Sequence, residues 1–242
     1  MTDTGAERPY TLTDEVRAIL NSVSTATITS QLQRRGLANC FLNGLKPTQP
    51  GKRMLGYAHT LRYVALREDL AKKVGMHNAQ RQAVESIQPD EVLVIEARSE
   101  PHAGTIGDIF VMRAKSLGGA GVITDGALRD SPAIRGIDLP VYHQAQHAAT
   151  LGKLHTPWDH QVVITCAGVA VCPGDVLVGD DEGVVVIPAA MVEEIAQASK
   201  TMEIEEEWAI ERVAAGESSI GTFPIAADRR AEFEAWLQAK KS

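Results

Sequence analysis

Three side chains near the middle of the chain have the types and spacing from which carbonyl chemistry can be built: Asp108 and, after twenty intervening residues, the adjacent pair Arg129–Asp130. They lie within GTIGDIFVMRAKSLGGAGVITDGALRD, Gly104 to Asp130. A guanidinium grips a carboxylate through two parallel hydrogen bonds, and an aspartate is a hard oxygen donor suited to a divalent cation. Such a cation, bound to a 2-oxo acid through its keto oxygen and one carboxylate oxygen, stabilises the enolate left when a C–C bond breaks. Gly104 and Gly107 leave room for an anion to approach the amides of Gly107, Asp108, Ile109 and Phe110 at a helix start. A structural reading fits the same residues: Asp108 as a helix-start charge, and Arg129–Asp130 as an exposed turn with a local salt bridge.

The elements that must position these groups follow from the apolar pattern. EVLVIEA reads as a strand buried on both faces. Asp108 to Leu117 presents Ile109, Phe110, Met112, Ala114 and Leu117 on a broad helical face, broken by Gly118–Gly119 before AGVIT resumes as a strand. This β-α-β unit predicts parallel strands with a right-handed crossover. The turns leaving the two strands then share the carboxyl edge of the sheet, so Gly104–Phe110 faces Asp125–Asp130.

Around this unit, Asp14 to Arg35 reads as two helices split near Ser22–Thr25 and stopped by Gly36, and Met54 to Leu66 as a strand. MHNAQRQAVESI is a helix ended by Pro89–Asp90. VVITCAGVAV, DVLVGD and GVVVIP are hairpin strands, Ala189 to Ala215 is a glutamate-rich helix, and a last helix covers about Asp228 to Lys240. The class is α/β, with N-terminal helices and a C-terminal helical extension. No shift in composition marks a linker, so residues 1–242 are expected to form a single domain with its core at about 25–190 and C-terminal helices at about 189–240.

The formal net charge of −7 and a pI near 5.5 argue against nucleic acid as partner. No apolar run has the length of a membrane span, and the polar start MTDTGAERPYTLTDEV lacks a signal-peptide core, so no membrane association and a cytoplasmic location are expected. Cys40, Cys166 and Cys172 suggest buried thiols, not a disulfide framework or a zinc knuckle.

Other constellations carry less. His143 and His147 in HQAQH stand four apart, which on a helix puts both rings on one face: a metal site, or a surface or interface helix with two ordinary histidines. His59, His77, His102, His155 and His160 show no comparable pairing. Asp180–Gly183, DDEG, reads as a hairpin turn, since it lacks the spaced ligands of a calcium loop. GGAG follows a helix and precedes a strand, the reverse of a phosphate-binding loop. Glu203 to Glu207 reads as a solvated or intersubunit helix face, and Trp208 beside it favours an interface.

The Asp108 … Arg129–Asp130 spacing resembles the D-x20-R-D signature of the class II pyruvate aldolases that cleave 4-hydroxy-4-methyl-2-oxoglutarate, a family shared with the regulator of ribonuclease activity A (RraA). The likeness extends from STATITSQLQRRG through PGDVLVGDDEGVVVIP to the glutamate-rich helix. It implies a swivelling β/β/α domain, a homotrimer or a hexamer built as a dimer of trimers, and a site using Mg2+ or Mn2+. By the resemblance Asp130 takes the metal, partly through waters, and Arg129 binds substrate and stabilises the enolate. Gly107, Asp108, Ile109 and Phe110 form the substrate-binding turn, with the Asp108 side chain also placed for catalysis through a metal-bound water. The family also implies a glutamate from a neighbouring subunit, for which Glu203, Glu205, Glu206 and Glu207 compete, Glu205 preferred. A metal-bound water or hydroxide would take the C4 hydroxyl proton, and oxaloacetate would be decarboxylated at the same site.

Two function classes result: a metal-dependent lyase acting on a small 2-oxo acid, and a non-catalytic regulator that binds a ribonuclease. Asp108, Arg129 and Asp130 together favour the lyase. The segment LRYVALREDLAKKVGMHNAQRQ departs from the shorter relatives and could reshape the pocket.

Overall fold

The computed structural model describes residues 8–75 and 78–240. The first seven residues of the polar N-terminal stretch, and Met76 and His77 at the start of the expected helix, lie outside the described residues. Two helices open the chain, α1 (Asp14–Ser22) and α2 (Thr25–Arg34), each begun by a hydroxyl cap. Thr13 Oγ1 accepts from the Val16 amide and Ser24 Oγ from the Thr27 amide, satisfying donors that the first turn leaves open. Short strands β1 (Phe41–Leu42) and β2 (Lys46–Pro47) lead into the long strand β3 (Met54–Ala65). Helices α3 (Glu68–Val74) and α4 (Ala79–Ser86) precede β4 (Glu91–Glu96), β5 (Gly104–Ile106) and helix α5 (Asp108–Ser116). Then come β6 (Gly121–Leu128), the short α6 (Ser131–Ile134) and β7 (Val141–Gln146). Strands β8 (His155–His160), β9 (Ile164–Cys166), β10 (Val169–Val171), β11 (Val176–Gly179) and β12 (Val184–Ile187) follow. Helices α7 (Val192–Ala214) and α8 (Arg230–Lys240) close the chain.

The main sheet runs in the order β1-β12-β11-β3-β4-β6-β7-β2, with β5 added to β6 and β8 to β3. Strands β3, β4, β6 and β7 are parallel neighbours, as the β-α-β pattern predicts, while β11 and β12 pair antiparallel beside them. β3 joins the two halves: one edge pairs with β4, the other with β11 at its start and β8 at its end. The alternating side chains of β4 show why such a strand is apolar throughout. Leu93 and Ile95 pack under α4, α5 and α6, whereas Val92 and Val94 pack on the other face with Cys166, Val169 and Val171 of the β9–β10 hairpin. Each of these four is fully buried, worth about 1.5–3 kcal/mol apiece. A separate cluster packs α1, α2 and the first turns of α7 on β3, β11 and β12. This is the swivelling β/β/α arrangement that the resemblance implies. Among the described residues no helix is long and apolar enough to cross a membrane.

Three local expectations need correction. VVITCAGVAV is not one strand but a tight hairpin, β9–β10, turned by Ala167 (φ 48°) and Gly168 (φ 82°). Positive φ at both central residues matches the twist of a two-residue hairpin, and Ala-Gly carries a weaker signal for it than Asn-Gly. HQAQH is not helical: His143 lies in β7, paired with Thr124 of β6 and Lys46 of β2, so strand pairing on both edges overrides the four-residue spacing. Thr124–Asp125–Gly126 is not a turn but the continuation of β6, with an irregular register between Thr124 and Ala127.

Candidate active site

The two halves of the expected site do meet at one sheet edge, but β5 delivers the first of them, not β4. After β4 the chain passes through Arg98 (φ 60°) and Ser99 (φ 53°), a pair of left-handed residues, before re-entering the sheet as β5 beside β6. Gly104 pairs with Ala127 and Ile106 with Leu128, so Gly107 and Arg129 leave neighbouring parallel strands side by side. The amide of Arg129 donates to the Ile106 carbonyl at 3.0 Å. Thr105 fixes the strand from within: its carbonyl accepts from Gln80 Nε2 (2.7 Å) and Tyr63 Oη (3.0 Å), and its hydroxyl reaches the Ala127 carbonyl (3.0 Å). Tyr63 is fully buried, which pushes its phenol far above the ordinary range and keeps it a donor.

The glycines act by absence. A methyl group at Gly104 would stand 2.7 Å from Arg129 Cγ and 3.0 Å from the Ala149 carbonyl oxygen. One at Gly107 would stand 2.8 Å from Asp130 Oδ2. Neither needs an unusual φ; each is required so that the Arg129 and Asp130 side chains can lie against the turn. Asp130 itself is left-handed (φ 56°, ψ 31°), a region that Asp and Asn enter at less cost than other side-chain-bearing residues. Its carbonyl accepts from the amides of Ala133 and Ile134, starting α6 and fixing the direction in which the carboxylate leaves the chain.

Gly107, Asp108, Phe110, Arg129 and Asp130 line a cleft of about 350 Å³, joined by Arg81 from α4. Ile109 lines it too and is 78% exposed, while Asp108 and Phe110 are half-buried. The Asp108 Oδ1 accepts from the Ile109 amide at 2.8 Å, so one oxygen serves the helix start and the other is left to the cleft. The helix-start reading of Asp108 is thus the one its contacts show. The local salt bridge does not form: neither the Arg129 guanidinium nor the Asp130 carboxylate pairs with another described residue. Sequence reasoning flagged the segment that contains Gln80 and Arg81 but neither residue singly, because no motif marks a buried glutamine and an exposed arginine side by side in a polar helix.

The remaining candidates fall elsewhere. Glu203 Oε1 accepts from the Ser24 amide at 2.8 Å, Glu205 pairs with Arg230 at 2.5 Å and Glu207 with Lys240 at 2.5 Å. Glu206 lies beside Ile210, Val213 and Phe223 along an apolar cleft, where burial and then Glu203 push its carboxyl above the usual range. His147 Nδ1 accepts from the Ala149 amide, and His143 is buried in the sheet with its pKa lowered by desolvation. DDEG is the β11–β12 turn, as expected; Asp180 within it accepts from the Thr25 amide and hydroxyl and pairs with Arg53. Cys40 and Cys166 are buried thiols, but Cys172 is exposed, against expectation, because it leaves the end of β10 beside the Pro173–Gly174 turn.

The donor set at the cleft fits one kind of cation. Asp108 and Asp130 offer hard carboxylate oxygens to open space, with no nitrogen or sulfur donor among the cleft residues named above. Mg2+ is bound this way, through one or two carboxylates with most of its waters kept, and Mn2+ accepts the same ligands. Among the described residues no group of three or more His, Cys, Asp or Glu side chains gathers into a closed metal cage.

The model of the RraA-like family, described as Aldolase/RraA, matches residues 25–186. A protein of Halalkalibacterium halodurans described as "Putative 4-hydroxy-4-methyl-2-oxoglutarate aldolase" is 31% identical over 191 residues, covering 77% of this chain and 82% of the relative. Among solved structures, Streptomyces coelicolor RraAS2, described as an unusual member of the RNase ES inhibitor RraA protein family, is similar with a TM-score of 0.76 at 32% identity, over 83% of this chain and 98% of that one. A Pseudomonas syringae pv. tomato protein has a TM-score of 0.75 at 22% identity, over 88% and 99% of the two chains, a likeness of fold alone.

Proposed function

The chain belongs to the RraA-like family, and from that premise we propose that it is a divalent-cation-dependent lyase that releases pyruvate from a 4-hydroxy-2-oxo acid such as 4-hydroxy-4-methyl-2-oxoglutarate, with oxaloacetate decarboxylation as a side activity. The observation that carries this reading is the convergence of Arg129, Asp130 and Asp108 on one cleft, with the Arg129 and Asp130 side chains unpaired by other described residues. An unpaired guanidinium and carboxylate side by side add little to stability, and they are what a 2-oxo acid site requires.

In this reading Arg129 donates paired hydrogen bonds to the substrate's carboxylate and keto oxygens, and its charge offsets the negative charge that grows on the C2 oxygen. The first-turn amides of α5 add fixed dipoles of the same sense. The C4 hydroxyl gives up its proton to a water in the cleft, C4 becomes a carbonyl, and the C3–C4 electron pair passes into the C2–C3 enolate, which takes a proton back from water at C3 to become pyruvate. In oxaloacetate the leaving group is carbon dioxide. The free oxygen of Asp108 is placed to hold a water in the cleft and receive its hydrogen bond. Asp130, with Asp108 beside it, would hold Mg2+ or Mn2+, which supplies Lewis-acid polarisation of the keto group when bound.

The test is pyruvate release from oxaloacetate and from 4-hydroxy-4-methyl-2-oxoglutarate, with Mg2+, with chelator, and in Arg129→Ala and Asp130→Ala. Turnover that needs the cation and falls at least a hundredfold in both variants is expected. Absence of turnover by folded, cation-loaded protein would overturn the lyase. The likeness to RraAS2 supports a second reading, a regulator that binds a ribonuclease; its signature is ribonuclease binding that Asp130→Ala leaves intact. A homotrimer or hexamer is the assembly we propose with either reading.

A further inference from the structure

The cleft contains a second cation that the reaction above does not use. Arg81 stands in the first turn of α4, where Asn78 Oδ1 caps its amide at 3.2 Å. A positive side chain there opposes the helix dipole, so helix stability does not account for it. Its neighbour Gln80, 2% exposed, donates to the Thr105 carbonyl and fixes that turn of α4 against β5. The Arg81 guanidinium lies over the Phe110 ring, 5.5 Å from its centroid, so the substrate-binding turn itself supplies the surface on which it rests. The nearest carboxylate in sequence and field, Glu85, is engaged elsewhere: Arg113 Nε and Nη2 both donate to its Oε2, at 3.0 and 2.7 Å. Arg81 makes no ion pair or side-chain hydrogen bond with another described residue.

We infer that Arg81 is a specificity-determining residue that reads a second carboxylate on the 2-oxo acid, so that the site prefers dicarboxylates to monocarboxylates of the same length. The inference rests on the 2-oxo acid reading of the cleft. Arg129 then takes the 2-oxo acid end and Arg81 the distal end, with Phe110 holding the planar guanidinium in place for a paired contact. With the Asp108 and Asp130 carboxylates set against a divalent cation, the two guanidinium groups leave the cleft with a net positive charge that a dianionic ligand balances.

The experiment is calorimetric titration of wild type, Arg81→Ala and Arg81→Lys with two unreactive ligands in the presence of Mg2+: 2-oxoglutarate, and 2-oxopentanoate, which has the same chain without the second carboxylate. Wild type is expected to bind 2-oxoglutarate about tenfold or more tightly than 2-oxopentanoate. Arg81→Ala should abolish that preference with 2-oxopentanoate affinity unchanged, and Arg81→Lys should retain part of it. Arg81 is exposed, so the fold should survive both changes, which a melting curve verifies. Equal binding of the two ligands by wild type, or an Arg81→Ala variant that keeps the preference or weakens both alike, would overturn the role of Arg81 and leave the 2-oxo acid reading standing. Binding of neither ligand by wild type would overturn both.

Discussion

At the scale of single residues, the site depends on side chains that are missing as much as on those present. Gly107 has an ordinary extended φ of −117°, so alanine there meets no backbone strain, yet its methyl would press on Asp130 Oδ2 at 2.8 Å. The carboxylate must rotate away, and Asp130 is exposed, so nothing in the core resists the movement. Gly107→Ala should therefore lower kcat/KM for pyruvate release by about tenfold or more, about 1.4 kcal/mol of transition-state stabilisation, with little change in melting temperature. Gly104→Ala differs, because its methyl meets the Ala149 carbonyl as well as Arg129, and Gly104 is buried with its amide bonded to that same carbonyl. It should lose both activity and stability. Steady-state kinetics beside a thermal melt separates the two cases, and a Gly107→Ala enzyme with full activity would mean that the Asp130 carboxylate has no fixed position to lose.

At the scale of elements, the short strand β5 aims the site, and Asp125 holds what precedes it. This carboxylate, 2% exposed in β6, accepts the amides of Ala97 (2.5 Å), Ser99 (3.1 Å) and Ala167 (3.3 Å) and the Ser99 hydroxyl (3.3 Å). It thus ties the left-handed pair Arg98–Ser99 and the β9–β10 turn to the central sheet. Burial raises its pKa while these hydrogen bonds pull it back down. Asp125→Ala would strand three backbone amides and release the Ser99 hydroxyl, costing roughly 3 kcal/mol or more in urea unfolding, with hydrogen exchange rising first at Ala97 and Ser99. The sequence makes Asp125 look like part of a turn, because Asp-Gly between apolar runs is a turn signal; here Gly126 is needed instead because a methyl would meet Thr105 Cγ2 at 2.6 Å and Ala97 Cβ at 2.8 Å. The apolar runs of β4, β6, β11 and β12 and the helical faces of α2 and α7 are legible because burial dictates their periodicity, whereas the face expected on α5 is corrected: Val111 and Ala114 are buried, and Ile109 and Met112 are exposed. Arg129–Asp130 after β6 stands out by residue type and by the D-x20-R-D resemblance, not by periodicity, since neither residue is buried. Strand β5 is not legible, since three residues carry no period, nor is Arg81, whose place in the cleft depends on how α4 docks on Thr105.

At the scale of the whole molecule, the sheet holds three histidines whose pKa values are lowered, each chiefly by burial: His143, His155 and His160. His155 is the most constrained. Its Nδ1 accepts from Arg98 at 3.2 Å, which places the proton on Nε2, buried beside the Tyr63 ring, with the Ala103 backbone the one group set to receive it. A proton on Nδ1 would displace Arg98 and put two positive charges in contact; Glu100 offsets this only in part. A histidine with a folded pKa below its unfolded value near 6.5 binds its proton first in the unfolded chain, so its contribution is complete above pH 6.5 and declines as pH falls through that value. Each such group adds up to about 1.4 kcal/mol of lost stability per pH unit below 6.5, until its folded form also titrates. Asp125 and Asp175, raised by burial, act in the opposite sense at lower pH, where the fold takes up their protons before the unfolded chain does. The histidine contribution is therefore best isolated by difference. Urea unfolding of wild type and His155→Gln from pH 7.5 to 5.5 should show wild-type stability falling below pH 6.5 with the steeper slope, the variant shallower by up to one proton's worth. Parallel slopes would mean that His155 takes up its proton as readily in the fold as out of it, and that the Arg98 contact does not hold it neutral.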